Sequence, residues 1–193
     1  KLPAAKDMNL NFRQVVKQSA EDRVMRLSNE GAGSSGPSKR AHHELVYDDA
    51  AKSIVMTAGS TPLNGGSSFA FFNDIWRFNG NEWKPSGMAG DKRSGIKLAY
   101  DLKSGKLYSF GGYSNNGSLA ELRVMDSGEW KVLSDYPEMK AAEPGFVYDS
   151  HRDKFVAFGG SGGRGIVNNI TWEWNGDSWK KFEGPGPEGR QAF

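Results

Sequence analysis

A chain of 193 residues, 37% hydrophobic and 12% aromatic, has enough apolar surface for a real core, which excludes a disordered chain. With no cysteine, disulfides and thiolate metal sites are excluded. A net charge of +2, with the charges scattered, argues against nucleic acid as a partner, and no apolar run nears the roughly 20 residues that span a bilayer.

Residues 1–35 read as an N-terminal extension. Phe12, Val15 and Val16 have loose helical spacing, and 22–28 reads as the last strand of a preceding unit. Residues 31–37, rich in Gly, Ser and Pro, form a connector. From there the chain repeats itself. Val46-Tyr47-Asp48, Ala99-Tyr100-Asp101 and Val147-Tyr148-Asp149 each lead, 11 residues after the Asp, to Gly59, Gly112 and Gly160. Trp83, Trp130 and Trp179 follow in turn. The repeats are 36–87, 88–134 and 135–183, and 184–193 starts another, its Gly-Pro and Arg190 restating Gly36-Pro37 and Arg40. Steps of 47–53 residues made of short apolar runs predict propeller blades, each a four-stranded antiparallel sheet.

Within repeat one the expected strands a to d are 41–47, 53–58, 74–78 and 82–85, with a long loop at 60–73 holding Phe69, Phe71 and Phe72. Asn79-Gly80 and Asn175-Gly176 are hairpin turns between strands c and d. Repeat two has strands at 95–100, 106–110, 121–125 and around Trp130, with a b–c loop at 113–120. Repeat three has strands at 144–148, 154–158, 169–174 and around Trp179, with a glycine-rich loop at 161–168. The glycine pairs after strand b admit backbone angles closed to other residues. The recurring Tyr and Trp supply apolar area between blades. Asp48, Asp101 and Asp149 each start a turn and cap its backbone rather than form a carboxylate site.

The chemistry-bearing residues are few. On an extended strand His42 and His43 point to opposite faces, so they do not share a metal, and no metal site or cofactor is expected. No Gly-x-Ser-x-Gly elbow and no phosphate-binding loop occurs, so no catalytic residue is assigned. Strand direction brings the d–a connections and the b–c loops to one end, which gathers Arg40, Arg93, Arg164, Arg190, Phe71, Phe72, Tyr113 and Glu143. Arginines beside aromatics suit a carboxylate-bearing or sugar-like ligand, or an acidic peptide. Alternatively Arg40 and Arg93, which recur with the repeat, only tie the fold together.

The pattern resembles kelch repeats over 36–193. The resemblance rests on Arg40 and Arg93, seven residues before Tyr47 and Tyr100, on the glycine pairs 111–112 and 159–160, and on the three tryptophans. The stretch from Thr171 to Trp179, followed by Gly-Pro and Arg190, is similar to bacterial kelch-repeat proteins, many of them exported. The resemblance implies an all-β propeller with strand a lining the channel and strand d outside, in an extracellular or periplasmic setting. This chain departs from the pattern at Ala58, where a glycine is expected, and at Ala141, where an arginine is expected. The kelch-like copper oxidases need a cysteine, which this chain lacks. Three repeats plus flanking pieces fall short of the usual four to eight blades. The ring is then completed by a missing segment or by a second chain, or it stays an open arc. The functional expectation is a non-catalytic module binding a protein or carbohydrate through the b–c and d–a end. The alternatives are a sugar mutarotase of the sialic-acid type, with Glu143 or Glu44 as acid or base, and an architectural segment of a larger exported protein.

Overall fold

The computed structural model describes residues 36–163 and 166–190. The expected helix and preceding strand in 1–35, together with Arg164, lie outside the described residues. The chain divides into two units, Lys1–Ser38 and Lys39–Phe193, and the second carries the repeats. It is built from antiparallel strands, with short 3-10 turns at Asn64–Gly66 and Pro137–Met139. Among the described residues no helix is long and apolar enough to cross a membrane.

Each repeat folds as one four-stranded sheet in chain order. The first holds β1 (Ala41–Asp48), β2 (Ser53–Leu63), β3 (Ser68–Phe78) and β4 (Trp83–Arg93). The second holds β5 (Lys97–Asp101), β6 (Lys106–Phe110), β9 (Glu121–Asp126) and β10 (Glu129–Asp135), and between β6 and β9 the small hairpin β7 (Tyr113–Ser114) and β8 (Gly117–Ser118) intervenes. The third holds β11 (Gly145–Asp149), β12 (Lys154–Phe158), β15 (Thr171–Trp174) and β16 (Trp179–Lys181), with the hairpin β13 (Ser161–Gly163) and β14 (Ile166–Val167) after β12. The b–c segments expected as loops are thus hairpins. In repeat one β2 and β3 simply run on, pairing Ser60 with Phe71 and Leu63 with Ser68. Strand d of repeat one is also longer than expected and reaches Arg93, which pairs with Phe72.

Turn chemistry is what the sequence dictates. Asp48 Oδ1 accepts from the Ala51 N–H, Asp101 from Lys103 and Ser104, and Asp149 from His151 and Arg152. Asn79 and Asn175 do the same at the c–d hairpins, where Gly80 and Gly176 take φ near 99° and 98°.

The sheets stack so that β1 neighbours β5, β5 neighbours β11, and β4 meets β10. The larger core lies between the second and third sheets, around Phe110, Leu122, Phe155, Trp172, Trp174 and Trp179. Trp179 packs on Phe110 of the preceding repeat at 5.2 Å between centroids. Trp130 likewise packs against the clusters that join Val55, Ile75 and Ala58 of the first sheet to Leu107, Ile96 and Leu98 of the second repeat. Tyr100 also reaches backwards, its hydroxyl accepting from the Ala50 N–H in the a–b turn of the preceding repeat, while the Tyr148 hydroxyl donates to Asp153 of its own repeat. The first repeat differs. Trp83 is half-buried against Phe78 of its own sheet and Tyr47 is 51% exposed, and the preceding unit on which the pattern would pack them falls in 1–35, outside the described residues.

The glycine pairs are where one repeat latches to the next. Gly111 and Gly112 take φ 67° and 101°, and Gly112 N–H donates to the Ala141 carbonyl at 2.9 Å. A Cβ on Gly111 would sit 2.6 Å from that same oxygen. Gly160 N–H donates to the Arg190 carbonyl in the same manner. Ala58, the exception to the pattern, takes φ 63° all the same.

Candidate functional site

The lead-in to each sheet bonds to the start of its own b–c hairpin. Ser94 bridges Tyr113, and Ala142 bridges Ser161. These contacts bring the d–a connections and the b–c hairpins to the same end. There, five residues before each repeat tyrosine, stand His42, Gly95 and Glu143. Gly95 N–H donates to the His42 carbonyl at 2.9 Å, and Glu143 N–H donates to the Gly95 carbonyl at 2.8 Å. A run of main-chain hydrogen bonds therefore passes from sheet to sheet. All three residues are left-handed, with φ 54°, 60° and 54°. That conformation suits Gly95 and costs a side-chain-bearing residue about 1–2 kcal/mol. Gly95 also leaves room, since a Cβ there would lie 3.0 Å from Glu143 Cγ. Over this gap His42 Nδ1 meets Glu143 Oε1, joining side chains 101 residues apart. With His42 left-handed, the simple strand alternation assumed for His42 and His43 does not hold.

Next along the first strands, Lys97 donates to Glu44 at 3.1 Å, from β5 to β1. Burial pushes the Glu44 carboxyl up, and the hydrogen bond and charge of Lys97 only partly offset this. His43 lies beside Arg40, and burial followed by that cation lowers its pKa. Its Nδ1 is buried without a hydrogen-bond partner.

The two arginines offered as ligand-binding residues are consumed inside their sheets. Arg40 and Arg93 side chains are each only 2% exposed. Arg40 clamps Asp74 with two hydrogen bonds of 2.5 and 2.7 Å, reaches the Ala58 carbonyl at 3.1 Å, and lies over the Phe72 ring at 4.0 Å. Burial alone would raise the Asp74 carboxyl, but the hydrogen bonds from Arg40 and Trp76 hold it below the ordinary carboxylate range. Arg93 pairs with Glu121 at 2.8 Å and with Asp91, and reaches the Gly111 carbonyl. Arg123 joins this network through Asp91 at 3.1 Å, and burial with the neighbouring Arg93 lowers its pKa to about 10. Asp74 and Glu121 both stand nine residues before the repeat tryptophan, where repeat three has Ile170. The arginine and its acid are therefore replaced together in repeat three, by Ala141 and Ile170. Phe72, held under Arg40, is likewise a support.

Two of the expected residues, Tyr113 and Arg190, remain at the surface, and Phe69, which was not among them, joins them. Tyr113 is 44% exposed and touches Phe71 of the neighbouring hairpin at 6.1 Å between rings. Phe69, nearer the tip of the β2–β3 hairpin, is 52% exposed. Arg190 is exposed, its Nε donating to the Glu188 carbonyl. Sequence reasoning missed His42 as the partner of Glu143. The signal was there: both occupy the position that Gly95 fills in repeat two.

No family model matches the chain, and no curated protein matches it. Among solved structures it is similar to that of YjhT, with a TM-score of 0.61 and 17% sequence identity, over 76% of this chain and 54% of YjhT. The chain thus spans about half the length of that structure. At this identity the likeness is one of fold, an all-β chain of antiparallel four-stranded sheets.

Proposed function

We propose that the chain is part of a kelch-type β-propeller that binds a protein or carbohydrate partner, without catalysing a reaction, through the end bearing its b–c hairpins and d–a connections. The observation that carries this reading is the placing of Phe69 and Tyr113, large aromatic side chains left exposed on the b–c hairpins of the first two sheets. Such rings on a fixed scaffold serve as anchors for a partner or as stacking surfaces for a sugar. Side-by-side first strands support the propeller reading, and the half-length match to YjhT supports a ring completed by further blades, from a missing segment or a second chain. The test is an array of glycans and peptides probed with the parent chain, Phe69→Ala and Tyr113→Ala. Binding that both substitutions weaken at least tenfold is expected. Binding indifferent to both, or no binding at all, would leave the architectural segment of a larger exported protein.

A second reading, a sugar mutarotase of the sialic-acid type, is favoured by one observation: Glu143 has an imidazole partner in His42. Opening a cyclic hemiacetal requires one group to take the anomeric hydroxyl proton while another protonates the ring oxygen, and a carboxylate–imidazole pair can supply both. Anomer interconversion followed by NMR would decide it. Rates above the buffer that fall in Glu143→Gln would support an enzyme, and unchanged rates would remove it.

A further inference from the structure

Eight residues before each repeat tyrosine stands a lysine: Lys39, Lys92 and Lys140. Each immediately precedes the position of the buried arginine, or of Ala141 in repeat three. The two neighbouring positions have opposite fates. The arginine turns inward and is neutralised, whereas all three lysines are exposed. Six other described lysines sit within 4 Å of a carboxylate, but none of these three has an ion pair. The carboxylates at this end are largely engaged: Asp74 by Arg40, Asp91 and Glu121 by the arginines, Glu44 by Lys97, and Glu143 by His42. Asp135, Glu138 and Glu188, all exposed, remain without an ion pair. The three cations therefore recur at one sequence position in every repeat, Lys39 and Lys140 on the connections leading into their sheets and Lys92 at the end of β4, at the end that carries the hairpins with Phe69 and Tyr113.

We infer that this end binds an acidic polysaccharide, with Lys39, Lys92 and Lys140 engaging successive carboxylates and the exposed aromatic rings taking sugar faces. The inference rests on the reading of this end as the binding face and adds the class of ligand. Like charges repeated at a fixed structural step match a polymer whose own charges repeat, and interleaved aromatics match pyranose rings better than a peptide backbone. The sequence offered Arg40 and Arg93 for such a ligand. The structure withdraws them into the sheets and leaves the adjacent lysines in their place.

The experiment measures binding of a defined galacturonate oligomer, a neutral glucan oligomer, a poly-glutamate peptide and an oligonucleotide at low and high salt. The proteins are the parent chain, the triple variant Lys39→Ala/Lys92→Ala/Lys140→Ala, and a control with the same charge change elsewhere, Lys106→Ala/Lys180→Ala/Lys181→Ala. The expected result is galacturonate binding that weakens with salt, falls at least tenfold in the triple variant and is kept in the control. Thermal melts should be unchanged, because the substituted side chains are exposed. Equal binding by the triple variant, or no galacturonate binding, overturns the inference. Equally tight binding of poly-glutamate or the oligonucleotide overturns the assignment to a saccharide. If the neutral glucan binds and Tyr113→Ala abolishes it, while galacturonate does not bind, the binding face stands and only the acidic class falls.

Discussion

Repeat three shows how to remove an ion pair from this fold. Arg93 is fully buried and pairs with Glu121 and Asp91, while the equivalent corner of repeat three holds Ala141 and Ile170. Glu121→Ile leaves a buried guanidinium with only Asp91, which Arg123 shares. Stranding one partner of a buried pair costs about 3–5 kcal/mol. Arg93→Ala should cost less, about 2–3 kcal/mol, because the Glu121 side chain keeps 26% of its surface in water and has Arg123 nearby. The double variant copies repeat three and should lie within about 1 kcal/mol of the parent, since replacing a whole buried pair by apolar groups is often neutral. The coupling between the two sites is then at least about 4 kcal/mol. Equilibrium urea unfolding of the four proteins reads it as shifts in midpoint at constant slope. Simple additivity, with the double variant the least stable of the four, would refute the claim that this arginine and acid are exchanged as a unit.

Other consequences can be checked in the same way. Gly112→Ala should destabilise by more than about 2 kcal/mol, because its Cβ would lie 2.6 Å from Ile96 Cγ2 at φ 101°. Gly117→Ala, at the same φ with open space around it, should cost only about 1–2 kcal/mol. Both tryptophans are half-buried, but Trp130→Ala, which empties the contact between the first two sheets, should cost up to about 3–5 kcal/mol in chemical unfolding, whereas Trp83→Ala, whose ring packs on Phe78 of its own sheet, should cost clearly less. His43 has its pKa lowered in the folded state by burial and by Arg40. The unfolded chain therefore binds the proton more readily, and stability falls as pH drops below about 6.5 towards the folded value. His43→Ile, which borrows the residue at Ile96, should remove that loss, as melting temperatures at pH 7.5 and 5 would show.

Much of the fold is legible because each repeat restates it in local chemistry. Asp48, Asp101 and Asp149 cap turns two or three residues away, and Asn-Gly pairs fix the c–d hairpins, so neither needs a distant partner to be read. What escaped was decided at long range. The destination of Arg40 is an aspartate 34 residues on, and Asn-Gly-Gly-Ser between Leu63 and Ser68 looks like a loop until its flanks pair into one hairpin. The exchange of Arg and acid for Ala141 and Ile170 was present in the aligned repeats and would have flagged the arginines as structural. The same alignment would have shown the lysines beside them, whose importance emerges only once their neighbours are seen to turn inward.

The proposed binding face requires the first strands of the three repeats to meet at one end, with His42 and Glu143 face to face over Gly95. The chain has no native cysteine, so His42→Cys/Glu143→Cys gives two unique thiols. A short bifunctional thiol reagent should join them within one molecule in dilute solution, as read by mass, whereas His42→Cys/Asp153→Cys, with the second thiol in an a–b turn, should stay unlinked. Failure to link 42 to 143, or equal linking of 42 to 153, would contradict the arrangement on which the proposed binding face rests.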